Sequence, residues 1–89
     1  AYDMAKLISM ASADARISDI MRLSSHTVRA ARRVITFGTT NRLLGRDDVD
    51  VRAAKTGFIS KSGYCLATLL RLPQSGQEVA VVVLGARSN

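Results

Sequence analysis

The chain has very little cysteine and few aromatic residues, and each shortage excludes a class of structure. One cysteine among 89 residues rules out an internal disulfide and any metal site built from several thiolates. Aromatic residues make up only 4% of the sequence, so the core has to be built from aliphatic side chains. No apolar run approaches the length of a membrane-spanning helix. Cys65 lies within an apolar stretch, where we expect a buried and unreactive thiol.

Acidic residues are also scarce, since seven Asp and Glu oppose thirteen Lys and Arg for a net charge of +6. A basic chain favours anionic partners such as nucleic acid, anionic lipid, cell-wall polymers or carboxylate ligands. Compensating acids elsewhere in a larger domain are an alternative explanation. Asp47, Asp48 and Asp50 stand close together, but a calcium loop needs further ligands, a glycine and a closing glutamate. We therefore expect a solvated acidic loop and no metal site.

Apolar spacing predicts two helices, over about residues 2–13 and 14–23. The first has one stripe at the i, i+3, i+4, i+7 spacing of a buried face, formed by Met4, Leu7, Ile8 and Ala11. The apolar side of the second consists of Ile17, Ile20 and Met21. We expect both stripes to belong to a core.

The following segment, about 27–37, has β-branched residues around Val34 and Ile35 and is predicted to be extended, as a strand or short hairpin. A helix here would instead gather three arginines on one face as a phosphate-binding patch, namely Arg29, Arg32 and Arg33. His26 follows two serines in an expected turn, without a partner nearby in sequence, so we expect it to be exposed.

The second half of the chain has a β pattern, with strands predicted at about 51–58, 63–72 and 78–86. A turn at 73–76 joins the last two strands as an antiparallel hairpin. The run 79–84 is apolar without alternation, which predicts that both of its faces are covered. The expected fold is α/β of the α+β type, an antiparallel sheet flanked by helices.

A cation, a hydroxyl and a glycine stand together in the first of these strands, at Lys55, Thr56 and Gly57. Side chains alternate along a strand, so those of Lys55 and Thr56 are expected on opposite faces. Gly57 removes a side chain where another backbone or a ligand could come close. This stretch therefore predicts an anion-binding strand edge.

The order of these pieces resembles the C-terminal part of the catalytic domain of serine D-alanyl-D-alanine carboxypeptidases, the low-molecular-mass penicillin-binding proteins. Five blocks carry the resemblance: Tyr2-Asp3-Met4-Ala5-Lys6-Leu7, Thr40-Asn41-Arg42-Leu43-Leu44, Lys55-Thr56-Gly57-Phe58, Gly63-Tyr64-Cys65-Leu66 and Val81-Val82-Val83-Leu84-Gly85-Ala86. They span nearly the whole chain in the family's order and spacing. The resemblance implies a β-lactamase/transpeptidase-like fold, of which residues 1–89 would be the C-terminal segment.

The family's acyl-transfer chemistry uses three motifs, Ser-x-x-Lys, Ser-x-Asn and Lys-Thr-Gly. Only the third occurs here, so by resemblance this chain lacks the nucleophile and is predicted to be inactive without the N-terminal part of the same domain. Thr56 would hydrogen-bond the substrate's terminal carboxylate, and Gly57 would let the substrate lie along the edge as an added strand. Lys55 would supply positive potential and support proton transfer. The backbone N–H of Phe58 would be one of two oxyanion-hole donors.

The resemblance further implies an exported enzyme, in the periplasm or on the outer face of the cytoplasmic membrane, without metal or organic cofactor. It would remove the terminal D-Ala from peptidoglycan stem peptides ending in D-Ala-D-Ala and would be acylated by β-lactams. The chain departs from the common pattern at Arg52-Ala53, where many members have Asp-Gly, and at Ile59, where many have threonine. Ile59 resembles the members that also act as endopeptidases on cross-linked peptidoglycan.

Two other hypotheses come from different classes of protein. The first is a small basic nucleic-acid-binding module that uses Arg29, Arg32, Arg33, Arg42 and Arg46. Scarce aromatics argue against base stacking, so this partner is not favoured. The second is a non-catalytic remnant that must pair with an N-terminal part in order to fold.

Overall fold

A computed structural model describes residues 1–88, which form two helices followed by five strands. In chain order these are α1 (Tyr2–Ala13), α2 (Ala15–Met21), β1 (Ser25–Ala30), β2 (Arg33–Gly38), β3 (Asp50–Ile59), β4 (Gly63–Arg71) and β5 (Glu78–Ala86). β1 and β2 form a separate antiparallel hairpin, while β3, β4 and β5 form a three-stranded antiparallel sheet with β4 in the middle. The α+β fold class is confirmed. Neither helix within residues 1–88 is long and apolar enough to cross a membrane.

Several element boundaries differ from the predicted ones, for local reasons. Asp14 stands outside α2 as its N-cap, because its side chain accepts a hydrogen bond of 3.0 Å from the backbone N–H of Arg16. α2 ends at Met21, two residues before the predicted end. The predicted extended segment 27–37 is interrupted by a two-residue turn, in which Ala31 has a φ of 53°. It is therefore a hairpin, and the alternative helix is wrong.

The core lies between α1 and one face of the sheet. Ile8, only 3% exposed, packs against Ala53 of β3 and against Ala67 and Leu69 of β4. The small alanine side chains let the helix approach the sheet closely, and this close packing excludes water from both. Further side chains pack around this cluster: Met21, Ala80 and Val82.

The predicted helical stripes are only partly buried. Ile8 is in the core, whereas Met4 and Leu7 of the same predicted stripe are 37% and 56% exposed. In α2, Met21 packs against the core, but Ile17 and Ile20 are exposed. The reason is geometric: three strands offer the helices a narrow surface, and α1 rests on the alanines through few side chains.

The prediction that both faces of β5 are covered is wrong for residues 1–88. Ala80 and Val82 pack on the core, but the alternate residues Val79, Val81 and Val83 are 39%, 38% and 43% exposed. Ile8 and Met21 pack from the helices on the face of the sheet that carries Ala80 and Val82. Because successive side chains of a strand point to opposite faces, the alternate valines lie on the face that these helix residues do not cover.

Candidate functional site

The predicted site lies on β3, which is an edge strand: β4 pairs with one side, and no strand of residues 1–88 pairs with the other. Alternate N–H and C=O groups on that outer side are open to an added strand. β3 is firmly attached on its inner side through Thr68, a residue that is only 1% exposed. The Thr68 hydroxyl donates a 3.1 Å hydrogen bond to the carbonyl oxygen of Ala53. The segment Lys55-Thr56-Gly57, which begins two residues after Ala53, is thus held in place.

Lys55 and Thr56 direct their side chains to opposite faces of the sheet, as predicted. Lys55 is in register with Ala67 on the helix-covered face, and Thr56 is in register with Leu66 on the other. Lys55 is exposed, and its Nζ donates to the backbone carbonyl oxygen of Thr56. The cation therefore folds back along its own strand.

Three of the four predicted site residues line one small cavity. Thr56, Gly57 and Phe58 enclose about 120 Å³ together with Thr40 and Tyr64, whereas Lys55 is not part of the lining. A Cβ built on Gly57 would have no heavy atom within 4 Å, so the space beside this residue is open. That space could admit a ligand backbone.

A second cavity of about 180 Å³ adjoins the first and shares Thr40, Thr56 and Tyr64 with it. Its remaining lining combines three polar residues, one of them the buried Asn41, with less polar ones: Asn41, Arg42, Ser88, Cys65, Leu66, Val83 and Ala86. The prediction of a buried Cys65 thiol is wrong, because the residue is half-buried. Its partner across the ladder is Gly57, which has no side chain to cover it.

The electrostatics of these cavities suit an anion. Of the residues that the structure describes, no Asp or Glu lines either cavity, while the cationic residue Arg42 lines the second. One carboxylate of the acidic loop is neutralised locally, because Arg46 forms a 2.7 Å salt bridge to Asp48 and the hydrogen bonds between them lower the pKa of that carboxyl group. Within residues 1–88 there is no group of three or more His, Cys, Asp or Glu side chains that could hold a metal ion. The cavities therefore offer cationic and hydroxyl groups to a ligand.

The five arginines of the nucleic-acid hypothesis lie on three separate parts of the chain. Arg29, Arg32 and Arg33 belong to the β1–β2 hairpin and its turn, and the cross-strand register places Arg29 opposite Val34. Arg42 lines the second cavity and Arg46 is paired with Asp48. His26 is exposed, as expected, but it lies in β1 and the prediction of a turn is wrong.

Sequence reasoning did not assign Thr40 or Tyr64 to the site. Tyr64 lies directly opposite Phe58 in the β3–β4 ladder, and their rings stack with centroids 4.3 Å apart and planes inclined by 27°. Counting back through the hairpin from its turn would have found this pair. No sequence signal links Thr40 to Thr56, although their hydroxyl oxygens lie 2.9 Å apart.

Comparison with known proteins identifies the family of the chain. A search of curated proteins found no significant match to the chain. In contrast, the family model for D-alanyl-D-alanine carboxypeptidase matches residues 1–88, which are all the residues that the structure describes. The match includes the Lys55-Thr56-Gly57 strand and the loop that carries Thr40, so the resemblance is confirmed. The chain belongs to the D-alanyl-D-alanine carboxypeptidase family.

Proposed function

We propose that this chain supplies the Lys-Thr-Gly strand of a serine DD-carboxypeptidase whose nucleophile lies outside the 89 residues. The nucleophilic serine attacks the carbonyl carbon of the penultimate D-Ala of a peptidoglycan stem peptide. The terminal D-Ala leaves as a protonated amine, and water then hydrolyses the acyl-enzyme ester. Family membership supports this class of reaction.

The observation that carries the proposal is the common cavity of Thr56, Gly57 and Phe58 at an open strand edge. Thr56 donates its hydroxyl to the terminal carboxylate, an acceptor-only group. The Phe58 N–H donates to the developing oxyanion, a contribution of about 3–4 kcal/mol in comparable enzymes. The substrate backbone lies in the open space beside Gly57.

Lys55 acts in this proposal through its charge. It stands one residue before the carboxylate donor and is exposed. Its ammonium group raises the positive potential at the strand edge and assists proton transfer between the serines of the other two motifs. The reaction needs no metal and no organic cofactor.

We also propose the partners of the enzyme and its location in the cell. The substrate is a stem peptide ending in D-Ala-D-Ala, β-lactams acylate the same serine, and the N-terminal part of the catalytic domain completes the site. Peptidoglycan lies outside the cytoplasm, so the enzyme works in the periplasm or on the outer face of the cytoplasmic membrane.

Fluorescent penicillin labelling of the full-length gene product tests the proposal. We expect covalent labelling, and a Thr56→Val variant should be acylated about 10- to 100-fold more slowly, because a hydrogen bond to a charged group contributes ~1.5–3 kcal/mol. Thr27→Val is the matched control, since it removes a threonine hydroxyl from the distant hairpin. Failure to label, with the Ser-x-x-Lys serine intact, would refute the proposed function.

An endopeptidase is the second candidate, and Ile59 supports it. This residue is 63% exposed at the end of β3, next to Phe58, where a longer substrate would extend. The two activities are separated by giving the enzyme a stem pentapeptide and a cross-linked dimer. Release of D-Ala from the first identifies a carboxypeptidase, and cleavage of the second identifies an endopeptidase.

A further inference from the structure

Thr40 lies outside the Lys-Thr-Gly strand and makes a side-chain hydrogen bond with it. Its Oγ1 lies 2.9 Å from the Oγ1 of Thr56, across 16 positions of sequence. Both residues line both cavities of the site. The contact joins the loop before β3 to the hydroxyl that the proposed function assigns to the substrate carboxylate.

The loop holds Thr40 in a fixed position through its neighbour Asn41, which is only 6% exposed. The Asn41 side-chain oxygen accepts a 3.0 Å hydrogen bond from the backbone N–H of Leu43. Its own backbone N–H donates to the Thr39 hydroxyl at 3.1 Å. The Asn41 side chain holds the backbone after Thr40 and the Thr39 hydroxyl holds it before, so the Thr40 hydroxyl is directed at β3 by the loop itself.

The direction of the Thr40–Thr56 hydrogen bond decides what Thr56 can do. A hydroxyl has one proton to donate and two lone pairs that accept. If Thr56 donates to Thr40, its proton is unavailable to a ligand. If Thr40 donates instead, the Thr56 proton is free for a carboxylate, and the two aligned bonds strengthen each other by roughly 10–30%.

We propose that Thr40 is a positioning residue, which donates its hydroxyl proton to Thr56 and thereby orients the Thr56 proton toward an anionic carboxylate. This inference rests on the proposed function of Thr56. It adds a specificity: this relay of two hydroxyl groups, from Thr40 to Thr56, favours a ligand whose terminal group only accepts hydrogen bonds. A neutral carboxamide, which carries its own donors, gains less from a fixed donor at this place.

The test compares two substrates of the full-length enzyme, a peptide ending in D-Ala-D-Ala and the same peptide with a C-terminal carboxamide. In Thr40→Val we expect kcat/KM for the carboxylate substrate to fall about three- to tenfold, through a higher KM, and for the carboxamide by less than about twofold. Thr40→Ser keeps the hydroxyl and should restore the preference. Thr40 is exposed, so the isosteric valine leaves the fold intact.

Thr27→Val is the control for loss of a threonine pair, because Thr27 and Thr36 also have their Oγ1 atoms 2.9 Å apart, in the hairpin. It should leave the substrate preference unchanged. Equal losses for both substrates in Thr40→Val, or no rescue by Thr40→Ser, would overturn the relay.

Thr56→Val separates this inference from the proposed function. If Thr56→Val keeps the full carboxylate preference, the proposed role of Thr56 is wrong. If Thr56→Val loses the preference while Thr40→Val keeps it, only the relay is wrong. When both proposals are correct, the double variant loses no more of the carboxylate preference than Thr56→Val alone, because the two hydroxyls act as one unit.

Discussion

Phe58 and Tyr64 face each other across the β3–β4 ladder, with their ring centroids 4.3 Å apart. This stack fixes the end of β3, where the Phe58 N–H is proposed to meet the oxyanion. Tyr64→Ala should therefore slow acylation of the full-length enzyme by penicillin about two- to tenfold, because an aromatic pair contributes ~0.5–1.5 kcal/mol. Tyr64→Phe keeps the stack and should keep the rate. Phe37→Ala, an exposed aromatic on β2, serves as the distant control.

Gly57→Ala should separate binding from stability. A Cβ at Gly57 meets nothing within 4 Å, so the substitution should leave the melting temperature unchanged or raise it, since alanine restricts the unfolded chain by about 0.4–1 kcal/mol. The methyl group would occupy the space proposed for the substrate, and we expect kcat/KM to fall at least about tenfold. Gly38→Ala is matched, because a Cβ there also meets nothing within 4 Å and Gly38 lines neither cavity of the site. Full activity in Gly57→Ala would place the substrate elsewhere.

Gly63→Ala should be much more destabilising than Gly76→Ala. Both glycines have nearly the same left-handed conformation, with φ of +72° and +71°. A Cβ on Gly63 would lie 3.0 Å from the carbonyl oxygen of Ala86, whereas one on Gly76 meets nothing within 4 Å. We expect a loss of about 1–2 kcal/mol in the free energy of unfolding for Gly76→Ala, and about 1–3 kcal/mol more for Gly63→Ala. Urea unfolding measures both, and equal losses would contradict the close approach of β4 and β5.

Ala31→Gly should stabilise the β1–β2 hairpin. Ala31 has a φ of 53° in a two-residue turn, a conformation that costs a non-glycine residue about 1–2 kcal/mol. Hydrogen exchange of the β1 and β2 amides is the suitable measurement, because within residues 1–88 these strands make close backbone contacts with each other and with no other helix or strand. Slower exchange is expected in Ala31→Gly. Ala30→Gly, placed in the strand, should instead speed exchange.

The sequence was informative where a pattern is local. The three strands of the sheet were predicted to within one residue at each end, because their β-branched runs are separated by strong turn residues. The opposite faces of Lys55 and Thr56 follow from the strand period alone. Both results need only the covalent geometry of an extended chain.

Features that depend on the third dimension could not be predicted. The exposure of Leu7 and Val81 depends on how much surface a neighbouring element covers, and spacing carries no such information. The Thr40–Thr56 contact joins two residues 16 positions apart through a loop whose path is set by a buried asparagine. Cys65 is half-buried because its cross-strand partner is a glycine, a relationship that requires the register of the sheet.

The hydrogen bond from the buried Thr68 hydroxyl to Ala53 affects which kind of ligand suits β3. Because β3 is already ordered by that bond and by its ladder with β4, the conformational freedom lost when a ligand joins the outer edge is mainly that of the ligand. Stiff molecules have less freedom to lose than flexible ones. Among ligands with the same hydrogen-bonding groups, we therefore expect affinity for this edge to rise with rigidity, so that a fused bicyclic ring would bind more tightly than an open-chain peptide of equal length.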